Sequence, residues 1–192
     1  SLGTIHQDRN VTCLGAGVFQ TGRLDEQAIA LVCATLERMA EAYKRLDVVG
    51  VRAVATAAVR DASNQQEFIE RASAAAGTPV EIISGQEEAR LIHLGVQARW
   101  PHPQGRILTI DVGGGSCELI VAERGQLVTA LSKPLGAVRL TEVFLKNDPP
   151  SDAELHRLSQ SIDERLAGAA ARLRWGLQGR SATSGRAAAS AS

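Results

Sequence analysis

ILTIDVGGGSCELIVAE, residues Ile107 to Glu123, places two runs of strand-forming residues around three consecutive glycines. The pattern predicts a strand over Ile107 to Val112, a tight loop, and a second strand over Cys117 to Ala122. Gly113, Gly114 and Gly115 carry no Cβ and tolerate positive φ, so their N–H groups are free to converge on one point, with the Ser116 hydroxyl as a further donor. A phosphate suits such a loop; a plain hairpin turn is the alternative. Asp111 ends the first strand beside the loop, where a carboxylate and a phosphate would repel unless a hard cation such as Mg²⁺ lay between them. No G-x-x-x-x-G-K-[ST] run occurs, and the glycines lead into a strand rather than a helix. The loop is therefore neither a P-loop nor a dinucleotide fingerprint.

Working outward, 192 residues with 44% hydrophobic content are enough for one sizeable core or two small ones. Aromatic residues are only 3%, which leaves the packing to Ala, Leu, Val and Ile. A formal net charge of +0 argues against a general nucleic-acid surface. Past Glu164 the chain has Arg165, Arg172, Arg174, Arg180 and Arg186 and no acid, either a solvated helix face or a local polyanion contact. Cys13, Cys33 and Cys117 lie in apolar segments without metal-ligand spacing and read as small buried hydrophobes of a reducing compartment. No apolar run reaches the length of a membrane span, and a cytoplasmic location is expected. The chain starts on Ser1 rather than Met, as a piece of a longer protein would.

Before the glycine loop, short strands are expected at Leu2 to His6, Val11 to Leu14, Val49 to Ala55 and Val80 to Ser84. Asp25 should cap a helix whose buried stripe is Ile29, Val32, Leu36, Met39 and Tyr43. Ser63 with Gln66 has the form of a capping box for a helix ending at Gly77. A further helix runs from Gly85 to about Arg99. Trp100 to Gly105 reads as a linker, after which come a strand at Gln126 to Leu131 and helices at Ala137 to Lys146 and Ser151 to Leu173. Both halves have a strand, strand, helix, strand order, a weak sign of duplication.

The helix after the fourth strand opens SGQEEARLIHLGV. Glu88 shares a stripe with Leu91, Ile92 and Gly95, whereas Glu87 points outward to Arg90. A first-turn glutamate often only complements the helix dipole. A partly buried one with a raised pKa would also serve as a general base.

Four ordered segments, Gly15 to Leu24 (GAGVFQTGRL), Ala53 to Asn64 (AVATAAVRDASN), Ile82 to Val96 (IISGQEEARLIHLGV) and Ile110 to Ile120 (IDVGGGSCELI), resemble the exopolyphosphatase and guanosine pentaphosphate phosphohydrolase family of the actin-like ATPase superfamily. The resemblance implies an α/β fold of two duplicated actin-like (ribonuclease-H-like) lobes, mixed sheets flanked by helices, at 1–103 and 104–192. Both lobes would be incomplete, since no acidic glycine-containing loop precedes Leu2 and the second lobe stops early. It also implies a bacterial hydrolase of inorganic polyphosphate or guanosine pentaphosphate, the latter linked to the stringent response. In that scheme Glu88 activates water, Asp111 positions Mg²⁺, and Gly113, Gly114, Gly115 and Ser116 hold the terminal phosphoryl. Arg60 and Asn64 would add donors to phosphate. A homodimer is expected, without nucleic-acid or membrane partners. Ala182 to Arg186 (ATSGR) resembles the superfamily's nucleoside-side loop, with Arg186 where a small hydroxyl residue is usual. An actin-like ATP-dependent kinase or ATPase, and a non-catalytic phosphate-binding remnant, are the competing readings.

Overall fold

The computed structural model describes residues 4, 6–101 and 104–181, with the backbone alone at 174–181. Ala182 to Arg186 and most of Leu2 to His6 lie outside the described residues.

Helix α1 (Val18–Thr21) and helix α2 (Glu26–Arg45) come first. Asp25 caps α2 as expected, its Oδ1 accepting from the amides of Gln27 and Ala28 at 2.9 and 3.0 Å. Ile29 is fully buried, while Val32, Leu36, Met39 and Tyr43 are half-buried. Strand β1 (Ala53–Ala55) precedes a short helix α3 (Ala57–Asp61), then α4 (Gln65–Ala76) and strand β2 (Val80–Ile82). β1 and β2 pair in parallel, Val54 opposite Glu81. A connection carrying helices is what a parallel pair requires. Gly77 ends α4 in the left-handed region at φ +64°, where only glycine is at ease.

Several expectations fail here for long-range reasons. Val11 to Leu14 is not a strand; it has no ladder partner among the described residues, and Asn10 instead donates to Thr35 Oγ1 on α2. The repeated strand order of the two halves is therefore not seen in the described residues. Ser63 does not build a capping box, because its hydroxyl donates to the Gly22 carbonyl at 2.9 Å and Asn64 stands at the cap without a side-chain bond to the helix amides. Cys13 is exposed, at φ +49°, rather than buried; Cys33 is half-buried and Cys117 buried.

Helix α5 (Gly85–Arg99) leads to a three-stranded antiparallel sheet of β3 (Arg106–Val112), β4 (Cys117–Glu123) and β5 (Gln126–Lys133), with β4 central. Among the described residues one sheet is parallel and the other antiparallel, both flanked by helices. Cys117 to Ala122 is buried throughout, as a central strand covered on both faces must be. One face of the sheet meets α5. Leu119 and Leu131 on the other join Leu135, Leu140 of α6 (Ala137–Phe144), and Ile162, Leu166 and Ala169 of α7 (Asp152–Ser181) in a core cluster. A second cluster, around Ile29, Phe68 and Ala72, lies between α2 and α4. Among the described residues no helix is long and apolar enough to cross a membrane.

Glu154 fixes the α6–α7 connection. It accepts from the amides of Lys146 and Ser151, both at 2.8 Å, and from Asn147 and the Ser151 hydroxyl. These bonds, the Ser151 amide foremost, hold its carboxyl down at about 2. A depressed acid stabilises above its unfolded pKa and loses that contribution as pH falls toward the folded value. Acid titration of parent and Glu154→Gln by circular dichroism should therefore show the parent's extra stability at neutral pH shrinking between about pH 4.5 and 2, with the variant flatter.

Candidate active site

The helix bearing Glu88 begins where Ser84 Oγ accepts from the Glu87 amide at 3.1 Å. Residue 85 has no room for a side chain, since a Cβ there would lie 2.4 Å from that of Ser132 on β5. Only glycine lets the helix start lie directly on the strand. Glu87 and Glu88 then part as read from the sequence. Glu87 makes a double bond pair with Arg90 at 2.7 and 2.8 Å, which lowers its pKa. Glu88 turns inward with 18% of its side chain exposed, and its buried Oε2 has no hydrogen-bond partner among the described residues. The helix face differs from expectation in one respect: Ala89 and His93 are its most buried positions, and Gly95 is exposed.

Arg60 Nη1 is 3.7 Å from Glu88 Oε2, too far for a hydrogen bond, and it donates instead to the Ile83 carbonyl at 2.7 Å. Burial pushes the Glu88 carboxyl above the usual carboxylate range, the charge of Glu118 adds to that, and Arg60 opposes both.

Facing Glu88 is the glycine loop. None of Gly113, Gly114 and Gly115 has positive φ. Space decides one of them: a Cβ on Gly115 would lie 2.8 Å from both Ala57 Cβ and Phe19 Cζ, whereas one on Gly113 or Gly114 would make only ordinary contacts with Ser116 O or Val138. The Gly113 amide closes the turn on the Ser116 carbonyl at 2.9 Å, so it is committed and not a free donor. The carbonyls of Gly113 and Gly114 accept from the Ala137 and Arg139 amides at the start of α6, and that of Gly115 accepts from Arg139 Nε at 2.7 Å. With three carbonyls drawn toward α6, the Gly114 and Gly115 amides are left without a partner among the described residues. Ser116 is buried.

Glu88 and all of Gly113 to Ser116 line one cavity of about 320 Å³, with Phe19, Thr56 and Val138 among its other walls. Asp111 does not reach it. It is exposed at the end of β3, directly opposite Glu118, which in turn pairs with Ser132. Glu118 is 1% exposed and accepts from the Ser132 hydroxyl at 2.7 Å. The row Asp111, Glu118, Ser132 thus crosses the sheet to the start of α5. Asn64 goes elsewhere. Its Oδ1 accepts from the Leu24 amide and its Nδ2 donates to the Leu24 carbonyl, at 2.9 and 3.1 Å, beside a separate cavity of about 770 Å³. Both ends of its side chain are used, so it clamps the backbone ahead of α2 and does not join Glu88.

Three residues not singled out from the sequence complete the site. Glu118 had a visible signal, a lone acid inside the apolar run CELIVA. Arg139 binds Gly115 and pairs with Asp61, its guanidinium 4.0 Å over the Phe19 ring. Glu142 accepts from the amides of Gly17 and Phe19 at 2.5 and 3.2 Å and so holds α1 against α6.

The model described as the Ppx/GppA phosphatase family matches residues 1–191. The chain belongs to the Ppx/GppA phosphatase family. Exopolyphosphatase 2 of Mycobacterium tuberculosis is 34% identical over 170 residues, 86% of this chain and 53% of that protein. Exopolyphosphatase 1 of Mycobacterium leprae is 32% identical over 149 residues, 78% of this chain and 44% of its own. The crystal structure of an exopolyphosphatase from Cytophaga hutchinsonii superposes with a TM-score of 0.82 at 30% identity, covering 90% of this chain and 55% of that one. The Ppx/GppA family member of Aquifex aeolicus gives 0.65 at 35% identity, covering 83% and 52%. The fold is accordingly the actin-like α/β fold of this family. The chain spans about half the length of the curated relatives it matches.

Proposed function

We propose that this chain carries the hydrolytic cleft of an exopolyphosphatase, releasing orthophosphate from the end of inorganic polyphosphate. The single observation that carries the reading is the shared cavity: a buried carboxylate oxygen without a partner opposite a loop with two uncommitted amides and a hydroxyl. The Gly114 and Gly115 amides and Ser116 would hold the terminal phosphoryl oxygens, where charge builds in the transition state. Glu88 would take a proton from water as its oxygen bonds to phosphorus. The anhydride P–O bond breaks on the opposite side, and the shortened chain leaves with the electron pair. Guanosine pentaphosphate ends in the same kind of phosphoryl group and would be handled by the same residues. Three unpaired cysteines suit a reducing, cytoplasmic setting.

No group of three or more acidic, His or Cys side chains set to hold a metal is found among the described residues. Mg²⁺ needs less than that, since one or two carboxylates with waters and substrate phosphates complete its shell. Asp111, exposed at the end of β3, is one such carboxylate and would hold the ion through waters, with Glu118, buried and bonded to Ser132, behind it. Bound there, Mg²⁺ would neutralise charge on the phosphates.

The test is phosphate release from polyphosphate by the full-length protein across pH. A base with a raised pKa is protonated, and idle, over a wider acid range, so the acid limb of kcat should lie above the ordinary glutamate value of about 4.3. Absence of hydrolysis, or a limb at or below that value, would refute the reading.

A further inference from the structure

A further cavity, about 360 Å³, shares no wall residue with the glycine-loop cavity, and the two approach each other at the Glu88–Arg60 pair. Its walls include the cationic side chains of Arg60, Lys133 and Arg172, together with Ser84, Gly85 and Gln86 at the start of α5. Neither Lys133 nor Arg172 forms an ion pair among the described residues. Ser84 Oγ serves the Glu87 amide and Ser84 O the Glu88 amide, so the amides of Gly85 and Gln86, at the positive end of the helix, are not used. Glu87, next after Gln86, is taken up by Arg90. Glu118 is bonded to Ser132, and Glu88 lies beyond Arg60. Lys133 and Arg172, without a counter-ion among the described residues, leave this hollow positively charged and attractive to an anion.

Which anion follows from in-line geometry, and here the inference rests on the hydrolase reading. The attacking water is on the Glu88 side of the phosphoryl group and the leaving chain on the far side. A site behind Glu88 is therefore remote from the departing polymer and next to the product that has gained the water oxygen. Arg60 lines only this cavity, but its guanidinium is 3.7 Å from Glu88, which lines the other. We propose that the Arg60–Lys133–Arg172 pocket is an orthophosphate site, a station for the product on its way out.

The probe is inorganic phosphate, titrated by calorimetry into the full-length protein without substrate, for the parent and for Lys133→Glu/Arg172→Glu. Both changes are at positions outside the hydrolytic cleft. The parent should bind phosphate in two classes of site. The double variant should lose one class, with affinity weakened about tenfold or more, since each charge-assisted contact removed is worth about a factor of ten. Its KM for polyphosphate should remain within about twofold. Unchanged phosphate binding would overturn the proposal, as would a KM rising in step with the lost phosphate affinity, which would make the pocket a subsite for the polymer. Failure of the hydrolase reading shows separately, as no phosphate release by the parent, whatever the calorimetry gives.

Discussion

Glu88→Gln in the full-length protein is expected to lower kcat for phosphate release from polyphosphate by about 10²–10⁴-fold, the usual contribution of a positioned base, with KM changed by no more than about twofold. Gln keeps the shape and the contact with Arg60 but accepts no proton. The same substitution should stabilise the protein at neutral pH. A carboxyl whose pKa rises on folding contributes most below its unfolded value and loses that contribution as pH rises through the folded one. At pH 7 Glu88, its carboxyl held above the usual range by burial and one buried oxygen lacking a partner among the described residues, is therefore a net cost. The melting temperature of Glu88→Gln should exceed the parent's, by roughly 1 kcal/mol in stability, and the difference should fade in acid. Parental turnover in this variant would remove Glu88 as the base; an equal or lower melting temperature at pH 7 would remove the electrostatic account of its burial.

Gly136→Ala is expected to be the most damaging small substitution near the site. Its φ of −74° suits alanine, so no backbone strain is involved. Space is the obstacle: the new Cβ would lie 2.3 Å from the Gly114 carbonyl oxygen and 2.4 Å from the Gly114 and Gly115 carbonyl carbons. All three are main chain, so either α6 or the glycine loop must shift. Overpacking of this kind costs about 1–3 kcal/mol, and against backbone the upper end applies. A shift of the loop would also break the bonds that draw its carbonyls to α6. Chemical denaturation should show the loss of stability, and turnover of the protein still folded should fall at least about tenfold. Parental values of both would mean that loop and helix are not packed as described.

How much of this was open to reading depends on the range of each interaction. The glycine loop between two strands is local and was legible, as was the outward turn of Glu87 beside an inward Glu88, because helix geometry alone decides it. The Asp25 cap and the Gly77 stop belong to the same class. What escaped was decided by partners far along the chain. Ser63 had the right spacing for a capping box, yet it bonds Gly22, 41 residues away. Asn64 stood in a segment that suggested phosphate binding, but the Leu24 backbone takes both ends of its amide. Arg139 and Glu142 were unremarkable in a helix whose tie to Phe19 and Gly17 spans about 120 residues or more. Even the three glycines were read for their freedom of φ, whereas none has positive φ and one of them, Gly115, is required by the crowding of Phe19 and Ala57.

The contact between Gly85 and Ser132 also acts as a fulcrum. With main chain and a short side chain touching there, sliding of α5 along β5 is resisted, and a tilt of the helix would turn about its first residue. At 1.5 Å per residue, Glu88 is only about 4.5 Å from that pivot and Arg99 about 21 Å. A tilt that swings the far end of the lever arm by several ångströms would carry the carboxylate about a fifth as far.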